Sequence, residues 1–142
     1  TTVRIAEEDN ITSFDPNNFL LPESMVQYLD ISTKPFAVPE AAVIQWCKKF
    51  TNKDKDFVDI GAHIGTYTWN LAPDFKHTYS FEPTKVTYNF LCSNILIKGL
   101  SDKVDAYNIA LSESPKVMTF YERGEDGGTN GLNLDYNDGK WI

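Results

Sequence analysis

The stretch Phe57-Val-Asp-Ile-Gly-Ala-His-Ile-Gly65 constrains the fold of this chain more than any other. It opens with a short apolar run, which is typical of a buried parallel strand. The glycines after the run predict a tight turn, because glycine permits close backbone approach and positive φ. The next predicted strand, over 77–82, ends in the carboxylate of Glu82. We therefore expect Asp59, Gly61 and Glu82 at one edge of a sheet.

The rest of the chain predicts alternating helices and strands. Local propensity over 66–70 favours a strand, but the preceding glycine turn favours a helix. Right-handed crossovers place such strands in one mostly parallel sheet flanked by helices, so we predict an α/β, Rossmann-like fold. The predicted helices cover 39–50, 66–72 and 83–98, the strands 57–60, 77–82, 104–109 and 117–121, and a short helix 23–30. The predicted buried positions are Val43, Ile44, Cys47, Phe50, Val86, Phe90, Leu91 and Ile95.

Length and composition limit what kind of protein this chain can be. A chain of 142 residues predicts one domain, here 38–142, after an irregular and polar segment over 1–37. The net charge of −7 repels a phosphate backbone on average, so no nucleic-acid partner is expected. Cys47 and Cys92 lie among apolar residues and predict buried free thiols, which fits a cytoplasmic protein. No apolar run reaches the roughly 18 residues of a membrane span, and no metal site is predicted.

The glycine turn and the two carboxylates suit a ligand with a charged end and a ribose. The spacing Asp59-x-Gly61-x-x-x-Gly65 lacks the G-x-G-x-x-G pattern of dinucleotide binders and fits S-adenosylmethionine (SAM) better. Asp59 offers an anion to the ammonium group, and the following helix start offers N–H groups to the carboxylate. The alternative is a plain tight turn with a helix cap.

Glu82 extends this interpretation to the rest of the ligand. Its two acceptor oxygens match the two vicinal hydroxyls of a ribose. Pro83 then lies near the adenine face. The alternative for a lone Glu in this position is a solvated side chain before a proline.

Four stretches together resemble the FkbM-type methyltransferases. They are Val58-Asp-Ile-Gly-Ala-His-Ile-Gly-Thr-Tyr-Thr68, Phe81-Glu-Pro83, Leu91-Cys-Ser-Asn-Ile95 and Asn108-Ile-Ala-Leu111. The resemblance runs from roughly Pro39 to Leu134 and implies a Rossmann-like, SAM-dependent enzyme that methylates a hydroxyl of a sugar or another small molecule. A later acidic segment of the family is absent, so we expect an incomplete, C-terminally truncated methyltransferase fold. An uncovered strand edge favours association with another copy.

The resemblance also assigns residues to parts of the cofactor. It places Asp59, Gly61 and Gly65 at the methionine end, and Ala62 and His63 complete that turn. His63 stands where the family usually has Asn, so it either keeps a hydrogen bond of the turn or contacts the ligand. The resemblance places Glu82 at the ribose, and Asn108 and Ala110 beside the adenine. No catalytic residue is assigned.

The predicted function is methyl transfer from SAM to an oxygen nucleophile of a small-molecule or carbohydrate acceptor. The first alternative is a truncated domain that binds SAM, or nothing, and serves in assembly. The second is an oxidoreductase that binds NAD or a nucleotide-sugar, against which the glycine spacing speaks.

Overall fold

A parallel sheet of three strands forms the centre of the computed structural model, which describes residues 40–117 and 120 together with 2–3, 6–7, 10–11 and 19–22. Strand β1 is Phe57–Ile60, β2 is Thr78–Phe81 and β3 is Val104–Tyr107, in the order β1-β2-β3. In the register, Asp59 lies opposite Ser80. The carboxyl ends of all three strands therefore lie at one edge of the sheet.

Three helices accompany these strands. Helix α1 is Ala41–Cys47, continued by a 3₁₀ turn over Lys48–Phe50. Helix α2, Thr66–Leu71, connects β1 to β2, and a 3₁₀ turn over Ala72–Asp74 follows it. Helix α3, Lys85–Ile97, connects β2 to β3. The predicted α/β, Rossmann-like fold with a parallel sheet flanked by helices is confirmed. The chain over 66–71 is helical despite its strand formers, because a parallel connection needs a crossover.

Helices α2 and α3 cover one face of the sheet. On that face Asp59, Thr78, Ser80 and Val104 are buried. Strand residues alternate between faces, and on the other face Val58 and Ile60 of β1 and Tyr107 of β3 are exposed. The prediction that the apolar run is a buried strand is therefore wrong for this face of β1. The core cluster on the covered side consists of Ala62, Ala72, Leu91, Ile95, Leu100 and Val104.

Two predicted helix faces need correction. Among the α1 side chains that the structure describes, only Ile44 is buried. The predicted Cys47 is half-buried, and Val43 and Phe50, the latter in the following 3₁₀ turn, are exposed. Phe50 instead packs edge-on against Trp46, with ring centroids 4.8 Å apart. In α3 the predicted Val86 is exposed and the neighbouring Thr87 is buried. An apolar pattern does not identify a buried stripe that includes polar residues with internal partners.

Some predicted elements fall wholly or partly outside the described residues. The predicted helix 23–30 lies outside them, as does everything after 120. Val117 and Phe120 are not in a strand, and the other residues of the predicted strand 117–121 are not described. Two short antiparallel ladders pair Thr2–Val3 with Leu21–Pro22 and Ala6–Glu7 with Asn10–Ile11. No helix in the described ranges has the length and apolar character to cross a membrane.

Candidate functional site

The turn over 61–65, which we call the glycine turn, joins β1 to α2 at the carboxyl edge of the sheet. Its backbone is left-handed at Gly61, His63 and Gly65, with φ of 77°, 55° and 92°. Gly65 has a second constraint, because a Cβ there would lie 2.8 Å from Cδ1 of Leu91. A Cβ at Gly61 would meet nothing within 4 Å. A side chain at position 65 would therefore have to displace the buried Leu91 side chain, whereas the space beside Gly61 is open.

Backbone hydrogen bonds hold the glycine turn against the end of β2. The N–H groups of Gly61 and Ala62 both donate to the carbonyl of Phe81, each at 2.9 Å. The N–H of Gly65 donates to the carbonyl of Ala62 at 2.8 Å. His63 occupies a left-handed position, which Asn, Asp and His adopt more readily than other residues with a Cβ. Histidine is therefore compatible with the left-handed backbone at this position.

The Asp59 carboxylate lies beneath the start of α2 and is buried. The Thr68 hydroxyl donates to its Oδ2 at 2.6 Å and lies 2.7 Å from the Ser80 hydroxyl. Burial raises the pKa of Asp59; side-chain and backbone hydrogen bonds from Thr68 lower it, and the nearby negative charge of Glu82 raises it. Because Asp59 accepts hydrogen bonds from the first turn of α2, it caps that helix, as one of the sequence alternatives expects.

The Glu82 carboxylate lies between the glycine turn and the start of α3. Its Oε1 accepts the Thr84 N–H at 2.8 Å and the Thr87 hydroxyl at 2.9 Å. Its Oε2 accepts the His63 N–H at 2.8 Å. Glu82 is only 5% exposed, so the alternative of a solvated side chain is wrong. A carboxylate has about four acceptor positions, and the described residues fill three of them.

The remaining predicted site residues lie beside Glu82. The Asn108 side chain, just after β3, donates from Nδ2 to the carbonyls of Glu82 and Pro83 at 2.8 and 2.9 Å. Asn108 thereby holds the segment between β2 and α3. Pro83 is half-buried and Ala110 is exposed. The structure thus groups Asp59, Gly61, Ala62, His63, Gly65, Glu82, Pro83 and Asn108 at the carboxyl edge, with Ala110 two residues beyond Asn108.

The sequence analysis did not predict several residues that lie at this edge. Thr68 and Thr87 bind the two carboxylates. No capping box identifies Thr68 in the sequence, because Gly65 at the N-cap of α2 has no side chain. Tyr67, in the first turn of α2, lies near Glu40: burial, then a hydrogen bond to Glu40, raises the pKa of Tyr67 to about 12. Tyr67 is therefore a protonated donor at neutral pH.

No group of three metal-ligating side chains occurs in the part of the chain that the structure describes.

Comparisons with known proteins give a partial match. No family model matches the chain, and no curated protein matches it. Among solved structures, an rRNA methylase from Streptococcus thermophilus matches with a TM-score of 0.47 at 15% identity, over 51% of this chain and 43% of its own. A tRNA methyltransferase, TrmI from Aquifex aeolicus, matches with a TM-score of 0.46 at 19% identity, over 54% and 31%. TYW2 from M. jannaschii, solved in complex with AdoMet, matches with a TM-score of 0.43 at 28% identity, over 46% and 30%.

These matches cover about half of this chain and less than half of each matched protein. None of them points to the FkbM-type family in particular. The partner prediction is contradicted, because matched proteins named as rRNA and tRNA methyltransferases speak against excluding nucleic acid and against a carbohydrate acceptor. The error came from the net charge, which averages over the whole surface and does not describe a local patch.

Proposed function

We propose that this chain is a SAM-dependent methyltransferase that binds its cofactor at the glycine turn. One observation carries the proposal. Two buried carboxylates, Asp59 and Glu82, lie at the ends of neighbouring parallel strands on either side of a turn with left-handed backbone. Ligands of open α/β sheets bind at this edge. The matched methyltransferase structures agree with the proposal, and one of them is a complex with AdoMet.

The residues present fit such a cofactor. The open space beside Gly61 admits the methionine end to the backbone. Oε2 of Glu82 accepts one hydrogen bond from the described residues and has a further acceptor position for a ribose hydroxyl. Asp59 and Glu82 add negative charge near a ligand that carries a sulfonium and an ammonium group. SAM supplies the electrophilic methyl group when bound, and the chain's own residues hold and orient it.

A second candidate is a domain that binds SAM, or nothing, and has no catalytic activity. Both carboxylates already bind groups of their own chain, Asp59 at α2 and Glu82 at α3, as a purely structural role requires. Cys47 and Cys92 are free thiols but only half-buried, so the prediction of buried thiols is wrong. As free thiols they still motivate the cytoplasmic location, which we keep as a proposal for both candidates.

Calorimetric titration of the purified chain tests the proposal. We expect saturable binding of SAM at one site, and no competition from NAD. Binding of NAD in place of SAM would favour an oxidoreductase, and absence of SAM binding would leave only the structural role. Transfer of a radiolabelled methyl group from SAM, assayed separately with RNA and with small-molecule acceptors, then distinguishes an enzyme from a binding domain.

A further inference from the structure

Asn94 is a buried amide in the middle of α3 whose hydrogen bonds all go to backbone outside its own helix. It is only 1% exposed. Its Nδ2 donates to the carbonyl of Ile64 at 2.8 Å and to the carbonyl of Leu20 at 2.9 Å. Its Oδ1 accepts the N–H of Leu20 at 2.6 Å. A buried amide is unfavourable unless it is hydrogen-bonded, and this one has partners on both of its polar atoms.

The bond to Ile64 anchors the glycine turn from the side of α3. The other anchors come from β2: the Phe81 carbonyl holds Gly61 and Ala62, and Glu82 holds His63. Ile64 lies between the two left-handed residues His63 and Gly65. Strained backbone persists only where its surroundings determine it. The amide of Asn94 is therefore one of the groups that keep the turn in shape.

The two bonds to Leu20 bring a distant segment to the same place. Leu20 precedes Asn94 by 74 residues. Its neighbour Phe19 is buried and packs edge-on against Trp69 of α2, with ring centroids 5.0 Å apart. Phe19 and Leu20 thus contact α2 and α3 together. The same amide that holds Ile64 also holds this segment, so the two are mechanically linked.

We propose that Asn94 is a positioning residue that fixes the glycine turn for the methionine end of SAM and couples the turn to the Phe19–Leu20 segment. This inference rests on the proposed function. The ribose and adenine depend on Glu82 and the residues after β2. Loss of Asn94 therefore affects recognition of the methionine end and leaves recognition of the nucleoside.

A pair of ligands tests this role. Asn94→Leu removes all three hydrogen bonds at similar volume, and Asn94→Asp keeps the acceptor for Leu20 but loses both donors. The matched control is Asn89→Leu, an exposed position of the same helix. Calorimetry measures the Kd for SAM and for adenosine, which has no methionine end. We expect SAM binding to weaken at least tenfold and adenosine binding to change less than twofold in both Asn94 variants. Equal weakening of both ligands, or no change, would overturn the positioning role.

Hydrogen exchange separates failure of this inference from failure of the proposed function. The Gly65 amide, bonded to Ala62 within the turn, should lose at least tenfold in protection in the Asn94 variants without any ligand. If SAM does not bind the wild-type chain, the proposed function fails, and this loss of protection still supports the anchoring of the turn.

A measurement on the wild-type chain tests the coupling even if the Asn94 variants do not fold. Because coupling between sites is reciprocal, SAM should raise the protection of the Leu20 amide in the unmutated chain. Unchanged protection of Leu20 at saturating SAM would overturn the coupling.

Discussion

The charged side chains at the two ends of the sheet differ in burial. At the carboxyl end, Asp59 and Glu82 are buried and bound to amides and hydroxyls of the chain. At the amino end, His77 and Asp105 form a pair at 3.0 Å with side chains 28% and 54% exposed. Burial of a carboxylate is unfavourable unless it is hydrogen-bonded, so Asp59 and Glu82 depend on these partners. This difference supports our proposal that the ligand binds at the carboxyl end.

The largest expected effect is at Gly65. Gly65→Ala combines a left-handed backbone with a Cβ 2.8 Å from Leu91, and we expect a loss of about 3 kcal/mol in the free energy of unfolding. Gly99→Ala is the control, because Gly99 has a φ of 70° and an added Cβ there meets nothing within 4 Å. It should cost about 1 kcal/mol. Urea unfolding measures both, and equal losses would show that crowding against Leu91 is unimportant.

The next effect is at Glu82. Glu82→Ala leaves the His63 and Thr84 amides and the Thr87 hydroxyl without their acceptor. We expect the folded variant to bind SAM at least tenfold more weakly. Asp105→Ala, at the other end, should leave the SAM affinity unchanged. Equal affinities for SAM in the Glu82 variant and the wild type would show that Glu82 does not bind the ribose.

Substitution of Asp59 should change the stability of the protein by an amount that depends on pH. Because burial raises its pKa, the folded state holds the proton to higher pH than the unfolded state. The stability that Asp59 contributes is complete below the unfolded value of 3.8 and is lost as the pH rises through the raised pKa. Asp59→Asn should therefore gain in stability relative to the wild type as pH rises from 3.8 to 7.

The same variant should bind SAM roughly fivefold more weakly, since a neutral amide replaces a charged acceptor, a difference of about 1 kcal/mol. Denaturant unfolding across this pH range and calorimetry at neutral pH measure the two quantities. A stability difference that does not depend on pH would contradict the buried, proton-holding carboxylate.

The smallest effect is expected from a substitution at the amino end of the sheet. His77→Ala removes a partly exposed hydrogen bond to Asp105, which contributes about 1 kcal/mol or less. We expect little change in thermal stability and none in SAM affinity. A change in affinity here as large as that of Glu82→Ala would abolish the contrast between the two ends.

Most of the sheet could be predicted from sequence, because its signals are local. The apolar run 57–60 and the glycine after it determine β1 and its turn. The partners of the carboxylates could not be predicted, since Thr68 and Thr87 look like ordinary polar helix residues until the chain folds back on itself. The same holds for Asn94, which binds the backbone of the glycine turn. The exposed Val43 shows the converse error, because helical spacing alone does not say which apolar side will meet the core.

The central claim is that the carboxyl end of the sheet binds SAM. Amide chemical shifts recorded during a titration with SAM test it most directly, because they report both ends of the sheet in one experiment. We predict saturable shifts at Gly61, His63 and Gly65, with Thr78 and Asp105 unchanged. Shifts confined to the amino end, or none at the glycine turn at saturating SAM, would contradict the account.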